Sequence, residues 1–210
     1  MRWNDHSRFN GSHAFLSPSS PSWIRYDEEK MKTAKQIEYD RICGTAIHAL
    51  ASGLIEKKLK IDDDVKLMIF YECMNSGIPK DCINVNRYAE TLIPYVNDSI
   101  HNDMRSEQLL YYDSKCYGTA DAISFDDNKL RIHDLKTGVV PAKMEQLYIY
   151  ASLFFLEYDI DVVNVDIELR IYQNGSILIE KPTINQILPY IDGIRTRVEW
   201  LYKYEENYNV

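Results

Sequence analysis

Apolar positions recur at helical spacing through the first half of the chain. Over residues 33–59 they repeat every three or four positions with lysine and glutamate between them, which predicts one long helix or two joined helices. A second helix is predicted near residues 62–75, before a Ser-Gly-Ile-Pro breaker, and a third near residues 84–104, with Pro94 as a kink or break. The first half of the chain is therefore predicted to be helical.

The pattern changes to strands from residue 109 onward. Short apolar or alternating segments predict strands over residues 109–112, 117–125, 129–137, 162–172 and 176–180. A mostly apolar helix is predicted over residues 144–158, and a last helix runs to about residue 204 from Thr183-Ile-Asn-Gln186, which has the form of a capping box. This order predicts a mixed central β-sheet flanked by helices, of the α/β or α+β class, with an N-terminal helical segment.

The length of 210 residues suits one domain. We divide it into a lead-in loop over residues 1–22, a helical wall over residues 23–106 and a sheet core with helices over residues 107–210. No apolar stretch approaches the ~20 residues of a membrane-spanning helix, and the N-terminal residues lack the apolar run of a secretory signal. We therefore expect a cytoplasmic protein with no membrane partner.

Charge and cysteine content narrow the chemistry. The net charge is −8, from 24 lysines and arginines against 32 acidic residues, which argues against a protein that coats nucleic acid through bulk charge. A protein that binds DNA through a local cluster of basic residues is still compatible with this net charge. The four cysteines form no CxxC pair and are interpreted as small buried residues, with a metal site or disulfides as the alternatives.

Two acidic residues are predicted to meet in the central hairpin. If it turns on Asp127 and Asn128, the numbers of paired residues sum to 255, and Asp121 falls opposite Asp134. Opposed carboxylates on a half-buried face repel unless a cation lies between them, and Mg²⁺ or Mn²⁺ prefers such oxygen ligands. Lys136, on the same face, could then orient or deprotonate an attacking water or stabilise phosphate charge. The alternative is a pair of solvent-facing acids at strand ends.

Two helical motifs could complete such a site. Gly44 lies one turn before His48, and the missing side chain would let another backbone or a ligand approach the imidazole. His48 is then a metal ligand or, alternatively, a histidine at the edge of the core. Gln146 and Tyr150 share a helical face and could point towards a phosphate or a base, or instead be a surface amide and a core ring.

In their order along the chain, these motifs resemble the RecB-like branch of the PD-(D/E)XK nuclease superfamily. The branch carries G-T-x-x-H on a helix, G-x-x-D on a strand, D-x-K or E-x-K on the next strand and Q-x-x-x-Y on a helix. The corresponding segments are Gly44-Thr45-Ala46-Ile47-His48, Gly118-Thr119-Ala120-Asp121, Asp134-Leu135-Lys136, and Gln146 with Tyr150. Leu16-Ser-Pro-Ser-Ser20 followed by Trp23 is similar to the start of a phage-borne exonuclease-like group, so the resemblance extends over most of the chain.

The resemblance implies a restriction-endonuclease-like α/β core and a Mg²⁺- or Mn²⁺-dependent deoxyribonuclease, most often an exonuclease serving phage or bacterial DNA recombination or repair. The implied metal ligands are His48, Asp121, Asp134 and the backbone carbonyl of Leu135. Lys136 corresponds to the catalytic lysine, Gln146 and Tyr150 to residues that position substrate or active-site groups, and Glu107 to a commonly acidic position.

The chain departs from its apparent relatives in two places. Some of them hold an iron–sulfur cluster through a late cysteine trio, but no cysteine follows Cys116, so we expect no cluster. The phage-borne group tends to have Gln-Pro-Arg where this chain reads Gln173-Asn-Gly175, which affects a contact of that group and not the metal site. The alternative functions are a non-catalytic DNA-binding or assembly protein on the same fold, and a restriction-type endonuclease. Loading by a helicase or single-strand annealing protein, and assembly into a homo-oligomer, stay open.

Overall fold

The computed structural model describes residues 7–9 and 14–208, so residues 1–6 and 10–13 of the predicted lead-in loop lie outside the described part of the chain. Contacts within the chain divide it into two compact units, Met1–Tyr39 and Asp40–Val210. The prediction of one domain over residues 1–210, with its helical wall and sheet core, stays a prediction.

The first unit contains a short 3-10 helix, Pro21–Arg25, and the start of the first long helix. Trp23 donates its indole N–H to the carbonyl oxygen of Ser17 at 2.9 Å, which closes the turn-rich segment onto itself. The long helix begins at Glu28, five residues earlier than predicted. Asp27 explains the earlier start, because its carboxylate accepts the backbone N–H of Lys30 at 2.8 Å as an N-cap.

Within residues 14–208 the chain forms five α-helices: α1 Glu28–Glu56, α2 Val65–Asn75, α3 Val85–His101, α4 Glu145–Tyr158 and α5 Ile184–Tyr208. The predicted helices are confirmed, and α3 runs through Pro94 as one helix, which excludes a break there. Asn84 caps α3 by accepting the Arg87 N–H at 3.2 Å. At the start of α5, the Gln186 side chain accepts the Thr183 N–H at 2.9 Å, which is one half of the predicted capping box.

The five strands are β1 Arg105–Asp113, β2 Cys116–Asp126, β3 Lys129–Lys136, β4 Asp166–Gln173 and β5 Ser176–Glu180. They form one sheet in the order β1-β2-β3-β4-β5, antiparallel except for the parallel pair β3–β4, between which α4 crosses over. The predicted α/β class with a mixed central sheet flanked by helices is confirmed.

Two strands begin four residues away from their predicted starts, and the other strand boundaries agree to within one residue. β1 begins at Arg105 instead of residue 109. β4 begins at Asp166 instead of residue 162, because Val162–Asn164 forms a 3-10 turn. That turn is capped by the Asp161 carboxylate, which accepts the Val163 N–H at 3.0 Å.

The turn between β2 and β3 has the predicted register. Asp127 and Asn128 adopt φ angles of 47° and 56°, as a type I′ turn requires. The strands pair from Asp126↔Lys129 through Ile123↔Ile132 to Ala122↔His133, and every pair sums to 255. Regular pairing therefore ends one position before Asp121 and Asp134.

Helices cover both faces of the sheet. On one face, α4 and α5 enclose the larger hydrophobic core, which includes the fully buried Leu130, Leu147 and Leu169. Burying one such side chain stabilises the fold by about 1.5–3 kcal/mol. On the other face α3 packs on β3 and β4, and the buried rings of Tyr95 and Tyr172 meet edge to face with their centroids 5.4 Å apart. Among the described helices, none is long and apolar enough to cross a membrane.

Candidate metal and catalytic site

Asp134 lies near the end of β3 with only 2% of its surface exposed. Its Oδ1 accepts a hydrogen bond from Lys136 Nζ at 2.9 Å, so the two side chains share a face as alternation predicts. Its Oδ2 is buried without a hydrogen-bond partner among the described residues. A buried carboxylate oxygen without a partner costs free energy, so this atom is suited to a ligand that brings positive charge.

Asp121 lies beside it on β2 and is fixed by the neighbouring backbone. Its Oδ2 accepts the Leu135 N–H at 2.8 Å. Burial, followed by the charge of Asp134, raises the pKa of Asp121 to about 7, although the Leu135 hydrogen bond and Lys136 act in the opposite direction. Without a cation, this carboxyl group is therefore partly protonated at neutral pH.

Glu107 brings a third carboxylate to the same place. Because Ser106 pairs with Ala122 and Gln108 pairs with Ala120, Glu107 falls opposite Asp121. Its φ of 49° is left-handed, a conformation that costs a residue other than glycine about 1–3 kcal/mol and often marks functional sites. Desolvation and the Asp121 charge both raise the pKa of Glu107.

His48 projects from the second unit's part of α1 towards these acids. Its Nδ1 lies 3.6 Å from Asp121 Oδ2, too far for a hydrogen bond. Burial lowers the pKa of His48, although Asp134, Glu107 and a hydrogen bond to the Leu135 backbone act against it. One ligand atom each from His48, Glu107 and Asp121 lies within 4.8 Å of the others, so a neutral imidazole and two carboxylates can converge on one cation.

Gly44 allows α1 to come this close. A Cβ atom at this position would lie 2.6 Å from Oγ1 of Thr137, the residue after β3. The close approach predicted at Gly44 is therefore made by a side chain next to Lys136. Close by, Ser52 Oγ and Ser106 Oγ form a 2.9 Å hydrogen bond between α1 and β1, a contact that the sequence analysis missed.

Lys136 is held from two sides. Besides Asp134, its Nζ donates to Gln146 Oε1 at 3.0 Å, and Gln146 Nε2 donates to the Tyr150 hydroxyl at 3.2 Å. The Tyr150 ring rests on Gly118, where an added Cβ would lie 3.0 Å from the ring. Gln146 and Tyr150 are therefore linked to the lysine at the end of β3, and their approach to a phosphate or a base stays a prediction.

Tyr95 is a further neighbour that the sequence analysis did not identify. The ring is buried on α3. Burial raises the pKa of Tyr95 well above its ordinary value, and Asp121, Asp134 and Glu107 add to the effect. Its hydroxyl is therefore neutral beside the acids and can act as a donor. An apolar helix face contains many aromatic residues, and nothing in the local pattern distinguishes this one.

Fold and site together define an α/β protein with three carboxylates, an imidazole and a positioned lysine at one end of a mixed sheet. A family model described as "Protein of unknown function (DUF2800)" matches residues 13–185, and the chain belongs to this family. Comparisons with curated proteins and with solved structures gave no match.

Proposed function

We propose that the protein is a metal-dependent deoxyribonuclease of the RecB-like PD-(D/E)XK type, an exonuclease acting in phage or bacterial DNA recombination or repair in the cytoplasm. One observation carries the proposal. The motifs on α1, β2, β3 and α4 converge on Asp134 and Lys136, through the contacts of His48 with Asp121 and of Gln146 with Lys136. Residues that only maintained the fold would have no reason to gather in this combination.

The donor set fits a divalent cation. His48, Glu107 and Asp121 offer converging ligand atoms, and Asp134 Oδ2 is a buried oxygen without a partner in the described part of the chain. Carboxylates suit Mg²⁺ and Mn²⁺, and the Leu135 carbonyl stays a proposed further ligand. A cation held there would act as a Lewis acid that activates water and offsets phosphate charge.

Lys136 has the position of a group that acts on the substrate. An ammonium group has three protons, and two of them are directed to Asp134 and Gln146. The third can be donated to a phosphate oxygen or to the attacking water, where it would stabilise charge developing in the transition state. Tyr150 orients the lysine indirectly, through Gln146.

Attack from DNA ends is favoured by the overall charge. A net charge of −8 weakens the non-specific attraction that lets a protein slide along duplex DNA. No segment of the sequence resembles a recognition helix or a zinc module that would read base edges. We therefore propose that a free end enters the site.

The test is incubation of the purified protein with end-labelled linear DNA and closed-circular DNA, with Mn²⁺, with Mg²⁺ and with a chelator. We expect metal-dependent degradation of the linear DNA only. Asp134→Ala should abolish it, whereas Asp192→Ala, at an exposed position of α5, should cleave normally. Discrete fragments from supercoiled plasmid would favour a restriction-type endonuclease, and DNA binding without cleavage under any condition would favour the non-catalytic alternative.

A further inference from the structure

A cavity of about 820 Å³ opens at the edge of β2, beyond its last residue paired with β1. That last pair is Arg105↔Ile123, so residues 124–126 of β2 have a partner strand only on the β3 side within the described structure. The turn after α3 and the end of α4 complete the walls. None of the metal-ligating or catalytic residues proposed above lines this cavity.

Two arginines without carboxylate partners face the cavity. Both line it, and within the described part of the chain neither the Arg105 nor the Arg131 guanidinium group makes a hydrogen bond or an ion pair. One of the two lining acids, Asp103, is already paired with Lys58 at 2.6 Å. In a protein with a net charge of −8, two unpaired guanidinium groups on one cavity indicate an anionic ligand, and guanidinium geometry suits phosphate.

Three aromatic rings form a continuous wall on the α4 side of the cavity. Arg105 shares this side through its pairing with Ile123, whereas Arg131 pairs with Ser124 and reaches the cavity from the other side of the strand edge. The Phe125 and Phe154 ring centroids lie 5.2 Å apart, and those of Phe154 and Tyr158 lie 5.0 Å apart. The outer two rings are partly open, with 38% of Phe125 and 49% of Tyr158 exposed. Open aromatic faces in a cavity that also contains cations can bind a nucleobase together with its phosphate.

The β2 edge adds polar groups to the cavity. Ser124 Oγ is buried and has no hydrogen-bond partner among the described residues. The free backbone edge of residues 124–126 can hydrogen-bond a base. A three-residue edge is short for a peptide added as a further strand, and such a peptide would leave both arginines without an anion.

We propose that this cavity binds a nucleotide, with the base against Phe125 and Tyr158 and the phosphate between Arg105 and Arg131. The nucleotide is either free in solution or the terminal nucleotide of a DNA strand. The site goes beyond the proposed nuclease activity and does not depend on it, because the cavity and the carboxylate cluster use different side chains.

The test is isothermal titration calorimetry of the full chain in the presence of a chelator, which keeps the proposed metal site free of metal. The probes are thymidine 5′-monophosphate, thymidine, inorganic phosphate and a 5′-phosphorylated ten-nucleotide DNA strand. We expect Arg105→Gln and Arg131→Gln each to weaken binding of the phosphorylated probes about tenfold or more, with little effect on thymidine. Arg195→Gln, an exposed arginine on α5, is the matched control and should change nothing.

The aromatic wall is tested separately. Tyr158→Ala should weaken the monophosphate and thymidine alike, and Tyr158→Phe should restore both, because stacking needs the ring and not the hydroxyl. Binding of the strand but not of the monophosphate would identify a DNA end as the ligand, and the reverse would identify a free nucleotide. Absence of binding by both phosphorylated probes, or unchanged affinity in both arginine variants with wild-type melting temperatures, would overturn the proposal.

Discussion

Replacing Asp121 with asparagine should stabilise the metal-free protein at alkaline pH. Burial and the neighbouring Asp134 raise the pKa of the Asp121 carboxyl group from 3.8 to about 7 in the folded state. The folded protein therefore binds this proton more tightly than the unfolded chain. The resulting stability is fully present below the unfolded pKa and is lost as the pH rises through the folded pKa.

The size of the effect follows from these two pKa values. One pKa unit corresponds to about 1.4 kcal/mol, so the complete loss above the folded pKa is about 4 kcal/mol. Between pH 5 and pH 8 the linkage relation gives a loss of about 3 kcal/mol in the free energy of unfolding. Asparagine removes the titration but keeps an oxygen that can accept the Leu135 N–H.

Urea unfolding in a chelator at pH 5 and pH 8 measures this difference. Wild-type protein should lose about 3 kcal/mol more than Asp121→Asn over the interval, and added Mn²⁺ should recover stability at pH 8 in the wild type far more than in the variant. Asp126→Asn, at the exposed end of the same strand, should follow the wild type. Equal pH dependence in wild type and Asp121→Asn would refute the reasoning, because Asp121 would then titrate as an ordinary surface acid.

Three further substitutions separate the roles of the other site residues. Lys136→Ala should slow DNA cleavage about a thousandfold or more yet still bind Mn²⁺ in a calorimetric titration; a folded variant that bound no metal would contradict a role in the transition state. His48→Ala should weaken Mn²⁺ binding with little change in the metal-free melting temperature, and the opposite result would identify a core histidine. Gly44→Ala should lower the free energy of unfolding by about 1–3 kcal/mol, because its Cβ would lie 2.6 Å from Thr137 Oγ1; Thr137→Ala should restore most of this loss in the double variant, and additive losses would locate the clash elsewhere.

The register of the central hairpin could be predicted because it depends on local chemistry. Asp127 and Asn128 tolerate the positive φ angles of a two-residue turn, and once the turn is set, each pair along β2 and β3 follows. Alternation from that turn also places Asp134 and Lys136 on one face, as their 2.9 Å contact confirms.

Strict alternation does not hold through Asp121 itself. Ala120 and Ile123 are three positions apart, so regular pleating would direct them to opposite faces, yet both are buried in the same core. β2 is therefore irregular between them, and the Asp121 carboxylate accepts the Leu135 N–H where the next regular pair would be. The opposing Glu107 has a left-handed backbone conformation, although its strand contains no glycine or asparagine that would predict a positive φ. Such irregularity depends on packing and cannot be predicted from periodicity.

The local sequence pattern also cannot predict which motifs, distant from one another along the chain, come together in the fold. Spacing alone left His48 as either a ligand or a core residue and Gln146 as either a site residue or a surface amide. Only the packed structure brings the imidazole next to Asp121 and the amide onto Lys136. The cavity at the β2 edge depends in the same way on where β1 begins, four residues earlier than the pattern predicts.

The two motif glycines give a physical reason for the spacing of these motifs. His48 follows Gly44 by one helical turn, so the contact that Gly44 allows with Thr137 positions the imidazole one turn further along α1, at Asp121. Because Thr137 directly follows Lys136, that single contact couples the helix that carries His48 to the strand that carries the lysine. At Gly118 the missing side chain admits the Tyr150 ring, which reaches the same lysine through Gln146. Each glycine therefore removes a steric barrier between a helix and the sheet. A side chain at Gly44 would push His48 away from the strand that carries Lys136, and a side chain at Gly118 would displace the Tyr150 ring.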